Sequence, residues 1–127
     1  MKRTLQVVSS AYRCNVEEQD DPVLWIAETM KGAGADVDVL LSGNAVSYAA
    51  RGQDASGLSF GGRAQTHPPD VEAAVRRLVS KGVAVHVIEE DVAERGLERS
   101  DLVDGVRPVS RSGLARLFAR YDGVWRW

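Results

Sequence analysis

The stretch that decides the fold is Val83–Ile88, which reads VAVHVI and is apolar at every position except His86. A short apolar run rich in β-branched residues is typical of a strand buried on both faces of a parallel sheet. The residues before it repeat at i, i+3, i+4 and i+7, which is the spacing of one helix face. These residues are Val71, Ala74, Val75 and Leu78. The sequence therefore predicts an amphipathic helix that leads into a buried strand.

The same alternation of helix and strand continues in both directions along the chain. Further apolar runs predict strands at residues 5–8, 37–41, 106–109 and 124–127. Capping residues and apolar spacing predict helices that begin at Pro22, Ala45, Val92 and after Ser110. Pro108 lacks a backbone donor, which favours an edge position for its strand. We expect an α/β fold with three α/β/α layers and a mainly parallel sheet of about five strands.

Length and composition fit one folded domain. The chain has 127 residues, of which 44% are hydrophobic and 27% are charged, unlike the composition of disordered chains. We expect a single domain over residues 1–127. Residues 52–68 contain four glycines and no clear periodicity, so we expect a mobile loop there.

Charge and cysteine content narrow the classes of function. A formal net charge of −2 and a pI near 5.7 give no basic surface of the kind that binds nucleic acid. No apolar run approaches the ~20 residues that a membrane span needs. The Met1–Arg3 start lacks a secretory cleavage pattern, so we expect a cytoplasmic protein with no membrane partner. Cys14 is the only cysteine, which excludes an internal disulfide and leaves a persulfide or an intermolecular partner for thiol chemistry.

The two histidines do not have metal-ligand spacing, and we expect neither a metal nor a cofactor. His86 is either a general base or, more commonly for one histidine in an apolar strand, a core residue whose hydrogen bonds are satisfied. His67 precedes two prolines in the 52–68 loop, where it is either a lid residue or simply exposed.

In open α/β sheets, ligands bind where the carboxyl ends of the strands meet the following loops. This rule selects the loops at Ser9–Asp21, Ser42–Ala45 and Glu89–Val92. The candidate residues that line this crevice are Ser9, Arg13, Ser42, Asn44, Glu89 and Glu90. The acidic run Glu89–Asp91 has two interpretations: a carboxyl group for acid/base chemistry, or charges that stabilise the start of the next helix.

Cys14 lies in the first of these loops and is the candidate persulfide carrier. Arg13 and the N-terminus of the helix that begins at Pro22 favour its thiolate. Four acidic residues disfavour it, namely Glu17, Glu18, Asp20 and Asp21. A lone cysteine is also often a small buried hydrophobe, so a reactive role and a structural role both stay open.

Trp125 and Trp127 are large apolar side chains near the end of the chain. Tryptophans in such positions commonly bury in the core or in a contact between subunits. We assign them to an oligomer contact.

Three segments carry a resemblance to a known family. Val85–Leu97 combines a strand, an acidic pair and an Arg-Gly-Leu turn, and Tyr121–Trp127 is a short strand with a final tryptophan. Val39–Val46, followed by Ala49 and Gly52, is a strand, a turn and a helix of small residues. Together these segments resemble the DsrE/DsrF/DsrH sulfur-relay family, also called TusB/TusC/TusD-like, and they are nearest to the DsrH/TusB branch.

The resemblance implies a small cytoplasmic protein that accepts and passes sulfane sulfur as a cysteine persulfide. Such proteins act as homo-oligomers or as hetero-oligomers of related subunits, with sulfur donor and acceptor proteins as partners. In the DsrE/TusD branch the active cysteine follows a strand, before the Arg-Gly turn. Here that position reads Ile88–Glu89–Glu90, without a thiol, as in the DsrH/TusB branch. The alternatives are a non-catalytic assembly subunit of a sulfur-transfer complex and a small-ligand or nucleotide-binding protein.

Overall fold

The structure is a computed structural model that describes residues 2–13 and 21–127. The strands of this part are β1 (Arg3–Val8), β2 (Asp36–Leu41), β3 (Ser59–Phe60), β4 (Arg63–Ala64), β5 (Val85–Ile88), β6 (Arg107–Val109) and β7 (Gly123–Arg126). The α-helices are α1 (Pro22–Gly32), α2 (Val71–Ser80), α3 (Glu89–Glu94) and α4 (Leu114–Phe118). Short 3-10 helices span Gly43–Ala49, Arg99–Asp101 and Arg111–Gly113.

Five strands form a parallel sheet in the order β6-β5-β2-β1-β7, with helices on both sides. The predicted three-layer α/β fold is therefore confirmed. The strand that contains Pro108 lies at one edge of this sheet, as the missing backbone donor predicted. The strand at the other edge is β7.

The chain path explains why α4 is separated from the other helices. The strands β1, β2, β5 and β6 follow one another across the sheet, and right-handed crossovers place their connecting helices on one face. The chain then returns from β6 past the sheet to β7, and the same handedness places α4 on the opposite face. The apolar core is accordingly split in two. The smaller part packs Leu117 of α4 against Leu5, Val7, Leu40 and Ile88.

Helix starts follow the predicted capping residues. The Asp21 carboxylate accepts hydrogen bonds from the backbone N–H groups of Val23 and Leu24, at 2.9 and 3.2 Å, and Pro22 occupies the first helical position. Asp70 caps α2 in the same way through the N–H of Ala73, at 3.0 Å. These caps satisfy backbone donors that the first turn of a helix leaves unpaired.

The structure differs from the sequence prediction in three local places. The helix predicted from Ala45 is a 3-10 helix that begins at Gly43, and the short helix predicted near Val92 begins at Glu89, directly after β5. The predicted loop at 52–68 contains the β3–β4 hairpin. Gly61 and Gly62 form its turn with φ of 52° and 79°, a conformation that glycine adopts without steric cost. None of the helices in the described ranges is long and apolar enough to cross a membrane.

Candidate functional site

The carboxyl ends of β1 and β2 meet through two serine hydroxyls. Ser9 follows β1 and Ser42 follows β2, and their Oγ atoms lie 3.0 Å apart. The backbone N–H of Ser42 also donates to the carbonyl of Val8, at 2.9 Å. Both serines are half-buried, so their hydroxyls lie at the base of the predicted crevice instead of projecting into solvent.

The turn after β2 is tied to the end of α3 by an arginine. Asn44 accepts hydrogen bonds at Oδ1 from Arg95 Nη2 and Nε, at 2.7 and 3.1 Å. Arg95 Nη1 donates to the carbonyl of Asp91, at 3.0 Å. Since Arg95 is the residue at which α3 ends, this contact fixes one wall of the crevice.

The acidic residues of the run at 89–91 lie in the first turn of α3, as the helix-stabilising interpretation predicted. They do not cap the helix, because the N-cap residue is Ile88 and it makes no side-chain cap bond. Glu89 instead accepts from Arg99 Nε at 2.9 Å, and Glu90 accepts from the backbone N–H of Arg111 at 2.9 Å. Each carboxylate thus joins α3 to another segment.

Asp91 joins more segments than Glu89 or Glu90 does, through contacts that were not predicted from the sequence. Its side chain is buried, and Oδ2 accepts from the backbone N–H of Gly43 at 2.8 Å. Its Oδ1 forms an ion pair with Arg111 Nη2 at 2.7 Å. One carboxylate therefore joins the segments that follow β2, β5 and β6.

The phenol of Tyr48 joins the two ends of the loop that follows β1. Tyr48 is fully buried, and its hydroxyl donates to Asp21 Oδ2 at 2.7 Å. The same oxygen accepts a short hydrogen bond from the backbone N–H of Tyr12. The two rings also meet edge to face, with centroids 5.2 Å apart. The candidate persulfide carrier, Cys14, falls between Tyr12 and Asp21 in the sequence and is outside the described residues.

A cavity of roughly 320 Å³ opens beside Tyr12. Its walls come from the loop after the Gly43–Ala49 helix and from the start of α2, and they include Gln53, Asp54 and Asp70. Gln53 is held in place because its Nε2 donates to the carbonyls that end the 3-10 helix, at 2.9 to 3.2 Å. Hydrogen bonds from Ser56 keep the pKa of Asp54 below its usual value. This cavity, which has both polar and apolar walls, lies between the crevice and the start of α2.

Most of the candidate crevice residues lie at one edge of the sheet. They are Ser9, Ser42, Asn44, Glu89 and Glu90, all of which follow β1, β2 or β5. Arg13 is exposed at the end of the first described range. The residues that sequence reasoning missed are Tyr48 and Arg111. Neither has a local signal, because each acts through a contact with a residue distant in sequence.

His86 is buried, as predicted, but its hydrogen bonds are not satisfied. Only 6% of the residue is exposed, and Nε2 has no partner in the part of the chain that the structure describes. Burial lowers the pKa of His86; Arg107 and Arg120 lower it further, whereas Asp38 opposes them. The prediction of a satisfied core histidine was wrong for Nε2, because no described polar group lies within hydrogen-bond distance of it. His67 is exposed in the loop before α2.

Asp38 is a further buried carboxylate, on the α4 face of β2. It accepts hydrogen bonds from the Tyr121 hydroxyl at 2.6 Å and from the backbone N–H of Ala84 at 2.8 Å. Arg3 lies 3.4 Å from the same carboxylate and stacks over the Tyr121 ring. Burial and the hydrogen bond to Asp38 raise the pKa of Tyr121 well above its usual value. This group ties the start of the chain to the segment before β7.

The tryptophans near the end of the chain are exposed, which excludes the core as their place. Trp125 is 58% exposed and Trp127 is 45% exposed, both on or beside the edge strand β7. The indole N–H of Trp127 donates to Gln6 Oε1 at 2.8 Å, which fixes that ring against β1. Trp125 lacks such an anchor within the described ranges.

Among the described residues, no three His, Cys, Asp or Glu side chains are placed to hold a metal ion.

Solved structures with the same fold come from distant organisms. The ychN protein from E. coli superposes with a TM-score of 0.77 at 20% identity, with all of both chains covered. MTH1491 from Methanobacterium thermoautotrophicum gives 0.63 at 17% identity, again over all of both chains. BT1422 from Bacteroides thetaiotaomicron gives 0.66 at 11% identity, covering 98% of this chain and 94% of that one. None of the curated proteins matches the sequence significantly.

The match of the sequence to a protein-family model is more specific than the likeness to these solved structures. The model of the DsrE/DsrF-like family matches residues 9–125, which is nearly the whole chain. The segments that carried the resemblance fall almost entirely within this range. The match does not separate the branches of the family, so the DsrH/TusB assignment stays a prediction. This chain belongs to the DsrE/DsrF-like family.

Proposed function

We propose that this protein is an intracellular sulfur carrier in which Cys14 accepts sulfane sulfur as a persulfide and passes it to a partner thiol. Membership of the DsrE/DsrF-like family supports a role in sulfur relay. Cys14 is the only thiol in the sequence, so it is the only cysteine that can carry sulfur.

The observation that carries the proposal is the contact of Tyr48 with both ends of the Cys14 loop. Tyr12 precedes Cys14 by two residues and Asp21 follows it by seven, and both bond to the Tyr48 hydroxyl. The loop therefore begins and ends at the carboxyl edge of the sheet, where α/β proteins of this kind bind their ligands. A carrier thiol needs access to a donor and to an acceptor, and the position of Tyr12 and Asp21 at this edge supports such a role for the cysteine between them in sequence.

The proposed transfer is two thiol exchanges without net oxidation. The Cys14 thiolate attacks the outer sulfur of a donor persulfide, a new S–S bond forms, and the donor leaves as a thiolate. An acceptor thiolate then attacks the outer sulfur on Cys14 and regenerates the Cys14 thiolate. The guanidinium of Arg13, the neighbouring residue, favours the thiolate form that both steps require.

Mass spectrometry after incubation with a low-molecular-weight persulfide tests this proposal. We expect the wild type to gain about 32 Da, the mass of one transferred sulfur atom, and Cys14→Ser to gain nothing. Ser10→Ala changes an exposed residue of the same loop and should keep the full adduct. An unmodified wild type, or an equal adduct on Cys14→Ser, would overturn the proposal.

The second candidate is a non-catalytic assembly subunit of a sulfur-transfer complex. Two observations favour it: the end of β5 carries Glu89 and Glu90 in place of a thiol, and Trp125 is exposed on an edge strand. Under this candidate, Cys14→Ser retains sulfur transfer in the reconstituted complex, whereas Trp125→Glu abolishes assembly. The two candidates thus predict opposite results for sulfur transfer by Cys14→Ser.

A further inference from the structure

A second cavity lies on the opposite face of the sheet from the Tyr12 cavity, between α4 and the edge formed by β5 and β6. Its volume is roughly 350 Å³, within the range of about 300 to 1,000 Å³ that is usual for small-molecule pockets. The cavity lies beside α4, a helix of only five residues, and its lining includes residues of both β5 and β6. It is lined by His86, Arg107, Pro108, Arg116, Leu117 and Arg120, among others.

The charge of this cavity is wholly positive. Arg107, Arg116 and Arg120 line it, and no acidic residue does. Their guanidinium groups are exposed and form no ion pair within the described part of the chain, although most other arginines there do. The whole chain carries a formal net charge of −2, so this cluster is not a consequence of a basic composition.

The fold brings these arginines together from separate elements. Arg107 is the register partner of His86 across β5 and β6, and neighbouring residues of parallel strands point to the same face. Arg116 lies on α4, and Arg120 lies in the turn that follows the end of this helix at Phe118. Three like charges that line one cavity repel one another, and an anion bound between them would relieve that repulsion.

The buried imidazole forms the floor of the cavity. His86 is more than nine-tenths buried and its Nε2 lacks a partner among the described residues, whereas the surrounding arginines are exposed. An unpaired buried polar group such as His86 Nε2 lowers the stability of the fold. This group lies at the cavity that the three arginines line.

We propose that this cavity binds a tetrahedral oxyanion, either a free inorganic ion or the phosphoryl group of a small metabolite. Guanidinium groups present paired N–H donors that match the oxygens of such an anion, and three of them surround a space of sufficient volume. The site lies on the other face of the sheet from the Tyr12 cavity, and the proposal does not depend on sulfur transfer.

Calorimetric titration with inorganic phosphate, in a buffer without other oxyanions and at constant ionic strength, tests the proposal. We expect saturable binding at one site by the wild type. Arg116→Gln combined with Arg120→Gln should weaken binding by about tenfold or more, because two charge-assisted contacts are lost. Arg63→Gln, which removes an exposed arginine of the β3–β4 hairpin, should leave binding unchanged. Absence of saturable binding, or equal effects of both changes, overturns the proposal.

Nuclear magnetic resonance of the two histidines locates the bound anion. The charged groups that face His86 are Asp38 from β2, Arg107 from β6, and Arg116 and Arg120 from α4 and its end. A bound anion should raise the pKa of His86, because it stabilises the charged imidazole. Saturable binding that leaves the His86 titration unaltered places the anion elsewhere and overturns the proposal.

A parallel titration with adenosine monophosphate separates the two sources of the oxyanion. Tighter binding than inorganic phosphate, lost in the Arg116→Gln and Arg120→Gln protein, identifies a phosphorylated metabolite. Equal or weaker binding identifies the free ion. Either result supports the cavity as an oxyanion site provided that the arginine changes weaken it.

Discussion

The hydroxyl of Tyr48 donates a 2.7 Å hydrogen bond to the carboxylate of Asp21, and both side chains are fully buried. Asp21 also accepts two backbone hydrogen bonds at the start of α1. The buried carboxylate therefore has partners on both of its oxygens, as a charge in the protein interior requires. The same phenol bonds to Tyr12, so this pair sets where the Cys14 loop starts and ends.

Tyr48→Phe should lower the free energy of unfolding by roughly 1.5 to 3 kcal/mol, because it removes a hydrogen bond to a buried charged group. Chemical denaturation measures the difference. The matched control is Tyr12→Phe, which changes an exposed phenol and should cost less than about 0.5 kcal/mol. Equal costs for the two variants would show that the Asp21 contact does not stabilise the fold.

His86 should make stability depend on pH in the neutral range. Burial lowers its pKa below the usual 6.5 of a histidine, so the unfolded chain binds more protons than the native protein as the pH falls through 6.5. The free energy of unfolding should then decrease, by at most about 1.4 kcal/mol per pH unit from this one group. Denaturation measured between about pH 7.5 and 5.5, above the range in which carboxyl groups titrate, tests this.

Two variants assign that pH dependence to a residue. His86→Leu removes the titrating group and should flatten the curve over this range, while His67→Gln, at an exposed position, should retain the wild-type slope. A slope that survives in His86→Leu would mean that another group causes it.

Asp91→Ala should destabilise the protein by about 2 to 3 kcal/mol, because the N–H of Gly43 and the Arg111 guanidinium both lose their partner. Glu94→Ala is the control on the same helix. Glu94 is exposed and its ion pairs are 3.8 and 3.9 Å long, so we expect a change below about 0.5 kcal/mol. Thermal or chemical unfolding measures the free energy of unfolding of both variants. Equal losses for Asp91→Ala and Glu94→Ala would show that the contacts of Asp91 do not stabilise the fold.

Trp125→Glu should dissociate the oligomer that we propose, since a charge replaces an exposed indole on the edge strand β7. Light scattering coupled to size exclusion measures the mass. Phe60→Glu introduces the same charge at a more exposed aromatic residue of the hairpin, 72% accessible, and should leave the mass unchanged. A monomeric wild type, or equal dissociation by both variants, contradicts the assignment of the contact to β7.

The elements of the fold could be predicted where their cause is local. The run at Val83–Ile88 indicated β5 because β-branched apolar residues favour a strand covered on both faces, and Asp21–Pro22 indicated the start of α1 because capping depends on adjacent residues. The hairpin β3–β4 was missed because its strands have two residues each, too few to show a period.

The candidate site was predictable only in part for the same reason. The rule that ligands bind at the carboxyl edge of a sheet selected Ser9 and Ser42, which do meet there. The role of Asp91 could not be read in advance, because its partners lie 48 and 20 residues away in sequence. The missing partner of His86 Nε2 likewise depends on which side chains a neighbouring strand and helix bring beside it.

The sequence by itself determined the alternation of strands and helices, the parallel sheet and the family, because apolar periodicity, capping and turn residues act over a few positions. Only the tertiary structure decided which side chains meet: Tyr48 with Asp21, Asp91 with Arg111, and Arg107 with His86. Hydrogen bonds and charges act over a few ångströms in space, and the distances along the chain that they bridge carry no local pattern.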